Sequence, residues 1–113
     1  YWLNSNKRYY GEALTVDEEL ASEWSRIPHF YTPFYVYKYA TGYSAATAFA
    51  AAILKGEEGA VEKYLGFLHA GGSDYSLNIL KNAGVDLNTP QPVTVTLQKF
   101  AEKLAELKKL LGK

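Results

Sequence analysis

The chain contains neither cysteine nor methionine among its 113 residues. The lack of cysteine excludes disulfide frameworks, thiolate nucleophiles, iron–sulfur clusters and zinc ribbons, and it leaves the redox compartment open. Net charge is absent as well, because 12 Lys and Arg residues offset 12 Asp and Glu residues. A neutral chain has no overall attraction for phosphate backbones or anionic lipid surfaces. We therefore predict neither a nucleic-acid partner nor a membrane partner.

Long apolar runs are also missing. The most apolar stretch, residues 45–54, is about half the roughly 20 residues that a membrane-spanning helix needs, and no charged-then-apolar signal segment opens the chain. Aromatic residues are abundant instead, with ten tyrosines, five phenylalanines and two tryptophans. At this length, a hydrophobic fraction of 48% is typical of one packed core. We predict a single globular domain over residues 1–113.

Helix-starting and helix-ending residues recur along the whole chain, and no pair of alternating β-branched runs is joined by a tight turn. These signals predict an all-α fold, an irregular bundle of about five to six helices. A capping box formed by Thr15 and Glu18 is expected to open the second helix, and Thr32 with Pro33 the third. The predicted helices cover residues 1–10, 16–25, 33–55, 58–70, 74–82 and a C-terminal segment from about 93.

Two of these helices carry distinctive patterns. Residues 45–54 have small side chains all round, which predicts a central helix buried on most sides. The C-terminal helix has apolar residues at spacings of three and four, which predicts one apolar stripe that packs on the rest of the fold, with charges on the other face. The stripe consists of Val93, Leu97, Phe100, Leu104, Leu107 and Leu111.

The two histidines call for different interpretations. His69 falls in the last turn of a predicted helix, where a cationic side chain interacts favourably with the free carbonyls, so a structural role is expected. His29 lies in a dense aromatic run between Pro28 and Gly42. Core packing is the commoner use of such a run.

A second use of the run is chemical. A helix beginning at Pro33 would place Tyr35 and Tyr39 on one face and Phe34 and Tyr37 on another. Because so many phenol hydroxyls cannot all enter one dry core, some should line a cleft. There His29 could help to bind a carbonyl or its oxyanion.

Other site classes find little support. Zinc needs about three protein ligands, and neither His-x-x-x-His nor Glu-x-x-His occurs, so we predict no metal site within this chain. The acidic run Asp17 to Glu19 fits the first turn of a helix better than acid–base catalysis. Ser44 has no Gly-x-Ser-x-Gly frame around it.

The run Arg-Ile-Pro-His-Phe-Tyr at residues 26–31, followed by Phe-Tyr-Val-Tyr-Lys-Tyr-Ala-Thr-Gly at 34–42, resembles the C-terminal part of the oligoendopeptidase F family. These are zinc metallopeptidases similar to thimet oligopeptidase. The resemblance extends over nearly the whole chain. It includes Tyr9-Tyr10-Gly11, the approach from Trp24 to Arg26, residues 67–73, and Ala83-Gly84-Val85-Asp86.

The resemblance implies a fragment of a larger, cytoplasmic, all-α peptidase that cleaves short peptides in a deep channel. The family's His-Glu-x-x-His motif is absent here, so the zinc of the full-length enzyme would be held by the missing N-terminal part. By the same resemblance, His29, Tyr35 and Tyr37 are candidate catalytic residues, and His29 and Tyr31 are candidate substrate-binding residues. The tyrosine that stabilises the oxyanion is one of Tyr31, Tyr35 and Tyr37, and Tyr37 lies in the run that resembles the family's catalytic tyrosine segment. The competing hypothesis is a stand-alone helical module that binds peptides without catalysis.

Overall fold

A computed structural model describes residues 1–113, and every regular element in it is helical, which confirms the all-α prediction. None of these helices combines the length and the apolar character required to span a bilayer. Two 3₁₀ helices cover Glu18–Arg26 and Pro28–Tyr31. The α-helices are α1 (Trp2–Tyr10), α2 (Tyr37–Leu54), α3 (Ala60–Ala70), α4 (Ser76–Asn82) and α5 (Gln91–Leu110).

Internal contacts divide the chain into two compact units, residues 1–38 and 39–113. The single domain expected over residues 1–113 stays a prediction.

In the first unit, aromatic side chains hold α1 and the 3₁₀ helices together. The ring of Trp2 meets Phe30 edge-on at 5.6 Å between centroids, and Trp24 lies 6.4 Å from Tyr31. Such offset or edge-on pairs are the favoured arrangements of aromatic rings.

The predicted second α-helix is wrong in type, because Glu18–Arg26 form a 3₁₀ helix that follows an extended Asp17. The capping box is also wrong, since no side chain caps this helix. Local side chains compete for its carbonyl groups. The Ser25 hydroxyl donates to the Ser22 carbonyl at 2.7 Å, and such bonds offer the backbone an alternative to the α-helical pattern.

The third helix begins four residues later than predicted, at Tyr37 rather than Pro33. Phe34 is the only non-glycine residue with a positive φ, 57°. This left-handed conformation is incompatible with a continuing right-handed helix. The predicted end holds to within a residue, because α2 ends at Leu54 and Gly56 follows with a φ of 69°.

The core of the second unit is small. It consists of Ala45, Phe49, Ala83 and Val85, and the ring of Phe49 lies 5.3 Å from Tyr64 and 5.4 Å from Phe67. Only Ser44, Ala45 and Phe49 of α2 are buried. The prediction that residues 45–54 are buried on most sides is therefore wrong. Their small side chains allow close approach, but neighbours lie on one side only.

The helix α5 is anchored at its start by Pro92, which is fully buried. Its next turns line a cavity of about 270 Å³ through Val95, Gln98 and Glu102, opposite Ala48 and Ala52 of α2. The predicted apolar stripe lies on the other side of the helix, and its side chains are 40% to 66% exposed. The prediction that this stripe packs on the rest of the fold is wrong for the described chain, because all six of its side chains are exposed.

Candidate functional site

His29 lies in the short 3₁₀ helix Pro28–Tyr31. Ile27 before it is extended, with φ −95° and ψ 104°, as expected for a residue that precedes proline. The helix ends where the Thr32 amide donates to the His29 carbonyl at 3.4 Å. This single turn presents the imidazole at the surface of the first unit, where His29 is exposed.

Tyr35 meets His29 across the turn that contains Phe34. The ring centroids of His29 and Tyr35 are 5.4 Å apart and the planes are inclined by 44°. The ammonium nitrogen of Lys38 lies 3.6 Å from the centroid of the Tyr35 ring, within the range of a cation–π contact. We call these three residues the His29–Tyr35–Lys38 cluster. It combines an imidazole, a phenol and a fixed positive charge, the groups that stabilise developing negative charge on oxygen.

Tyr31 and Tyr37 lie in different surroundings. The Tyr31 hydroxyl donates to the Ser25 carbonyl at 2.7 Å, so this hydroxyl is engaged with the backbone, whereas the side chain as a whole is 65% exposed. Tyr37 is the first residue of α2 and is 62% exposed. The helix faces expected from a start at Pro33 are wrong, because Phe34 and Tyr35 precede the helix.

Lys38 is not among the site residues that the sequence predicted. The signal that could have found it is its position three residues after Tyr35, a spacing at which a cation can reach an aromatic ring across one turn. His69 has the structural setting expected of it, with Nδ1 2.8 Å from the Leu65 carbonyl oxygen one turn earlier.

An ion pair lies in the same unit as the cluster. Arg26 donates a hydrogen bond to Glu23, which lowers the pKa of that carboxyl; burial opposes the shift, and the positive charge of Arg26 and the Trp2 indole reinforce it. The pair joins two residues one turn apart within the 3₁₀ helix Glu18–Arg26. It is engaged internally and offers no acid or base to the cluster.

The residues of this chain do not suit a metal centre. No group of three or more His, Cys, Asp or Glu side chains is arranged so that it could hold a metal ion. Both histidines are used separately, His29 beside Tyr35 and His69 on the Leu65 carbonyl. The chemistry available to these residues is therefore hydrogen-bond donation and positive charge.

Comparison with known proteins gives a consistent result. The chain is 51% identical over 112 residues to oligopeptidase PepF of Bacillus subtilis (strain 168), which covers 99% of this chain and 17% of that protein. It is 42% identical over 117 residues to the plasmid oligoendopeptidase F of Lactococcus lactis subsp. cremoris, covering 99% of this chain and 20% of that protein. The chain thus spans about a fifth of the length of these curated relatives.

The comparison of folds agrees with the comparison of sequences. The crystal structure of oligoendopeptidase-F from Enterococcus faecium matches with a TM-score of 0.88 and 44% identity, over 99% of this chain and 22% of that one. The family model described as peptidase family M3 matches residues 1–99. The family match includes the aromatic run around His29. Together with the similarity in sequence and in fold, it shows that the chain is a member of peptidase family M3.

Proposed function

We propose that this chain is a segment of an oligoendopeptidase that hydrolyses short peptides. The proposal is supported by the similarity of almost the whole chain to oligopeptidases and oligoendopeptidases that are about five times longer. In this proposal the rest of the longer chain holds the catalytic zinc, and the enzyme acts in the cytoplasm. The segment described here supplies groups that bind the peptide and stabilise charge.

The observation that carries the assignment of roles is the contact between His29 and Tyr35. Both side chains can donate a hydrogen bond to an oxyanion. The ammonium group of Lys38 lies over one face of the Tyr35 ring and holds the ring in place. Tyr37 is the second phenol donor that we assign to this step. Tyr31 contacts the substrate through its ring, because its hydroxyl is engaged with Ser25.

Steady-state kinetics of the longer peptidase tests these roles. A donor to an oxyanion acts when charge has formed, so its loss lowers kcat and leaves KM nearly unchanged. We expect His29→Ala and Tyr35→Phe each to lower kcat on the order of a hundredfold, about 3 kcal/mol. The variant Tyr37→Phe measures the contribution of the second phenol.

The matched control is Tyr75→Phe, which removes one hydroxyl from an exposed tyrosine of the second unit. It should leave both constants unchanged. The metal content of every variant is measured first. Wild-type turnover of the His29, Tyr35 and Tyr37 variants at full metal occupancy would contradict the assigned roles, and the aromatic run would then be packing only.

The chain alone gives a second test. Because a catalytic zinc needs about three protein ligands, we expect the 113-residue chain to bind no stoichiometric zinc and to cleave no quenched peptide. Titration calorimetry and a fluorescence assay measure the two properties. One-to-one zinc binding with chelator-sensitive cleavage would refute the proposal, whereas peptide binding without cleavage by the 113-residue chain alone would favour the stand-alone module.

A further inference from the structure

The exposed stripe of α5 has the spacing of a helix-pairing surface. Its residues alternate at intervals of four and three along almost the full helix, the repeat by which two helices pack side by side. With about 100° per residue, all six side chains fall within about 40° of one line along the helix. We call this line of residues the α5 seam: Val93, Leu97, Phe100, Leu104, Leu107 and Leu111.

The other side of α5 already faces its own chain. Val95, Gln98 and Glu102 line the cavity next to α2 and lie roughly opposite the seam by helix geometry. The acidic residues Glu102 and Glu106 are on that side by the same geometry. They pair with Lys99 at 2.6 Å and with Lys103 at 2.8 Å. The seam therefore has no partner within these 113 residues.

The borders of the seam carry charge of one sign. Lys103 lies about 80° to one side of its centre and Lys108 about 60° to the other. The remaining border positions hold Thr94, Thr96, Ala101 and Leu110, which are uncharged. Border charges of paired helices meet those of the partner and set partner choice. A helix that fits the seam would carry acidic residues at its own borders.

A second copy of this chain is a poor occupant by the same reasoning. When two α5 helices pair, every charged contact across the seam sets lysine against lysine, whichever direction the helices run. Contacts between like charges disfavour such a pair. The relatives supply a different candidate, because about four-fifths of their length lies outside the part that this chain matches.

We propose that the α5 seam docks an amphipathic α-helix from the rest of the longer peptidase, a helix whose apolar stripe is bordered by Asp or Glu. This inference rests on the proposed function only in that it assumes the longer chain. It identifies the surface by which this chain contacts the rest of the longer peptidase. It also states the chemistry of the helix that covers that surface.

Synthetic helices test the chemistry. Two labelled 21-residue peptides with leucines at the same spacing differ only in their borders, Glu in one and Lys in the other. Fluorescence anisotropy at low salt, where border charges are least screened, should show the Glu peptide binding the 113-residue chain roughly tenfold more tightly. The double variant Lys103→Glu, Lys108→Glu should reverse this preference. Equal affinity for both peptides, or a preference that survives the reversal, overturns the proposal.

Lys109→Glu combined with Lys113→Glu is the matched control, because it makes the same charge change at two lysines that lie outside the borders of the seam. It should leave the preference for the Glu peptide in place. A loss as large as that of the double variant would show that net charge alone decides binding, which also overturns the proposal. Circular dichroism of each variant checks that the helical content of the chain is unchanged.

Thiol labelling tests the source of the partner. Because the chain has no cysteine, Leu97→Cys and Lys109→Cys each introduce a unique thiol. In the 113-residue chain both should react at similar rates at every protein concentration. In the longer peptidase Leu97→Cys should react at least tenfold more slowly, with each labelled peptide followed by mass spectrometry. Equal rates there overturn the proposal, as does protection in the short chain that grows with concentration, which would indicate a second copy.

The proposal for the α5 seam and the proposed function can each be refuted without the other. Protection of Leu97→Cys in a protein without peptidase activity supports the seam and refutes the proposed function. Peptidase activity with an unprotected thiol does the opposite.

Discussion

The imidazole ring of His29 and the phenol ring of Tyr35 lie 5.4 Å apart although they belong to different local structures. His29 is in a 3₁₀ helix, whereas Tyr35 lies in the turn before α2. The backbone between them includes Phe34 with its positive φ. The approach of these rings therefore depends on the conformation of the turn.

Lys38 should stabilise the first unit through the Tyr35 ring, because its ammonium nitrogen lies 3.6 Å from the ring centroid. An exposed cation–π contact contributes about 0.5–1 kcal/mol. We expect Lys38→Gln to lower the free energy of unfolding by about this amount and Lys38→Arg to restore it. Urea denaturation measures both. In a Tyr35→Leu background the loss should be smaller, and an undiminished loss there would contradict the contact.

Replacing Phe34 by glycine should stabilise the chain. A side chain in the left-handed region costs about 1–2 kcal/mol, and the ring of Phe34 is 91% exposed, so little burial is lost. After the entropic cost of glycine is deducted, we expect a gain of about 0.5–1 kcal/mol for Phe34→Gly. Phe34→Ala keeps the strain and should show no such gain. A glycine variant less stable than wild type in thermal unfolding would show that the ring itself contributes.

Phe49 should be the most costly residue of the second unit to truncate. The residue is 7% exposed, and its ring packs against Tyr64 and Phe67. Truncation of a buried Phe costs about 3–5 kcal/mol, so we expect Phe49→Ala to abolish most of the stability of this unit. The control is Leu54→Ala, whose side chain is 87% exposed and should cost less than about 0.5 kcal/mol. Chemical denaturation followed by circular dichroism compares them.

Asp86 should make stability depend on pH. The Asn88 amide and side chain and the Lys81 ammonium hydrogen-bond to its carboxylate and hold its pKa below the ordinary value of 3.8. A depressed folded pKa stabilises the chain above pH 3.8 and loses that effect as pH falls through the folded value. Asp86→Asn should thus lower the urea midpoint at pH 6, with a smaller difference at pH 2.5. Glu12→Gln is the surface control, and equal differences at both pH values would contradict this linkage.

Much of the fold could be predicted from punctuation in the sequence. Gly11, Gly56 and Gly71 follow the ends of α1, α2 and α3 and take positive φ values, because only glycine accepts this conformation without strain. The region before α2 could not be predicted, since Phe34 adopts that conformation with a side chain. A rule based on residue type does not foresee such a position.

The candidate site could be predicted only in part. The aromatic run indicated His29 and Tyr35, but their contact comes from the turn and not from a shared helix face. For α5 the apolar pattern predicted the helix correctly and its packing wrongly. A pattern reports which face of a helix is apolar, and it does not report whether the covering partner lies within the same 113 residues.

The chain reversal after α4 has a consequence for local opening. The Val85 amide donates to the Leu80 carbonyl at 2.9 Å, so the residues just after a helix of seven return to the core beside Phe49. A helix this short does not persist in water by itself. Departure of Val85 from the core should therefore open α4, and α4 and the centre of α2 should exchange hydrogen for deuterium as one cooperative unit.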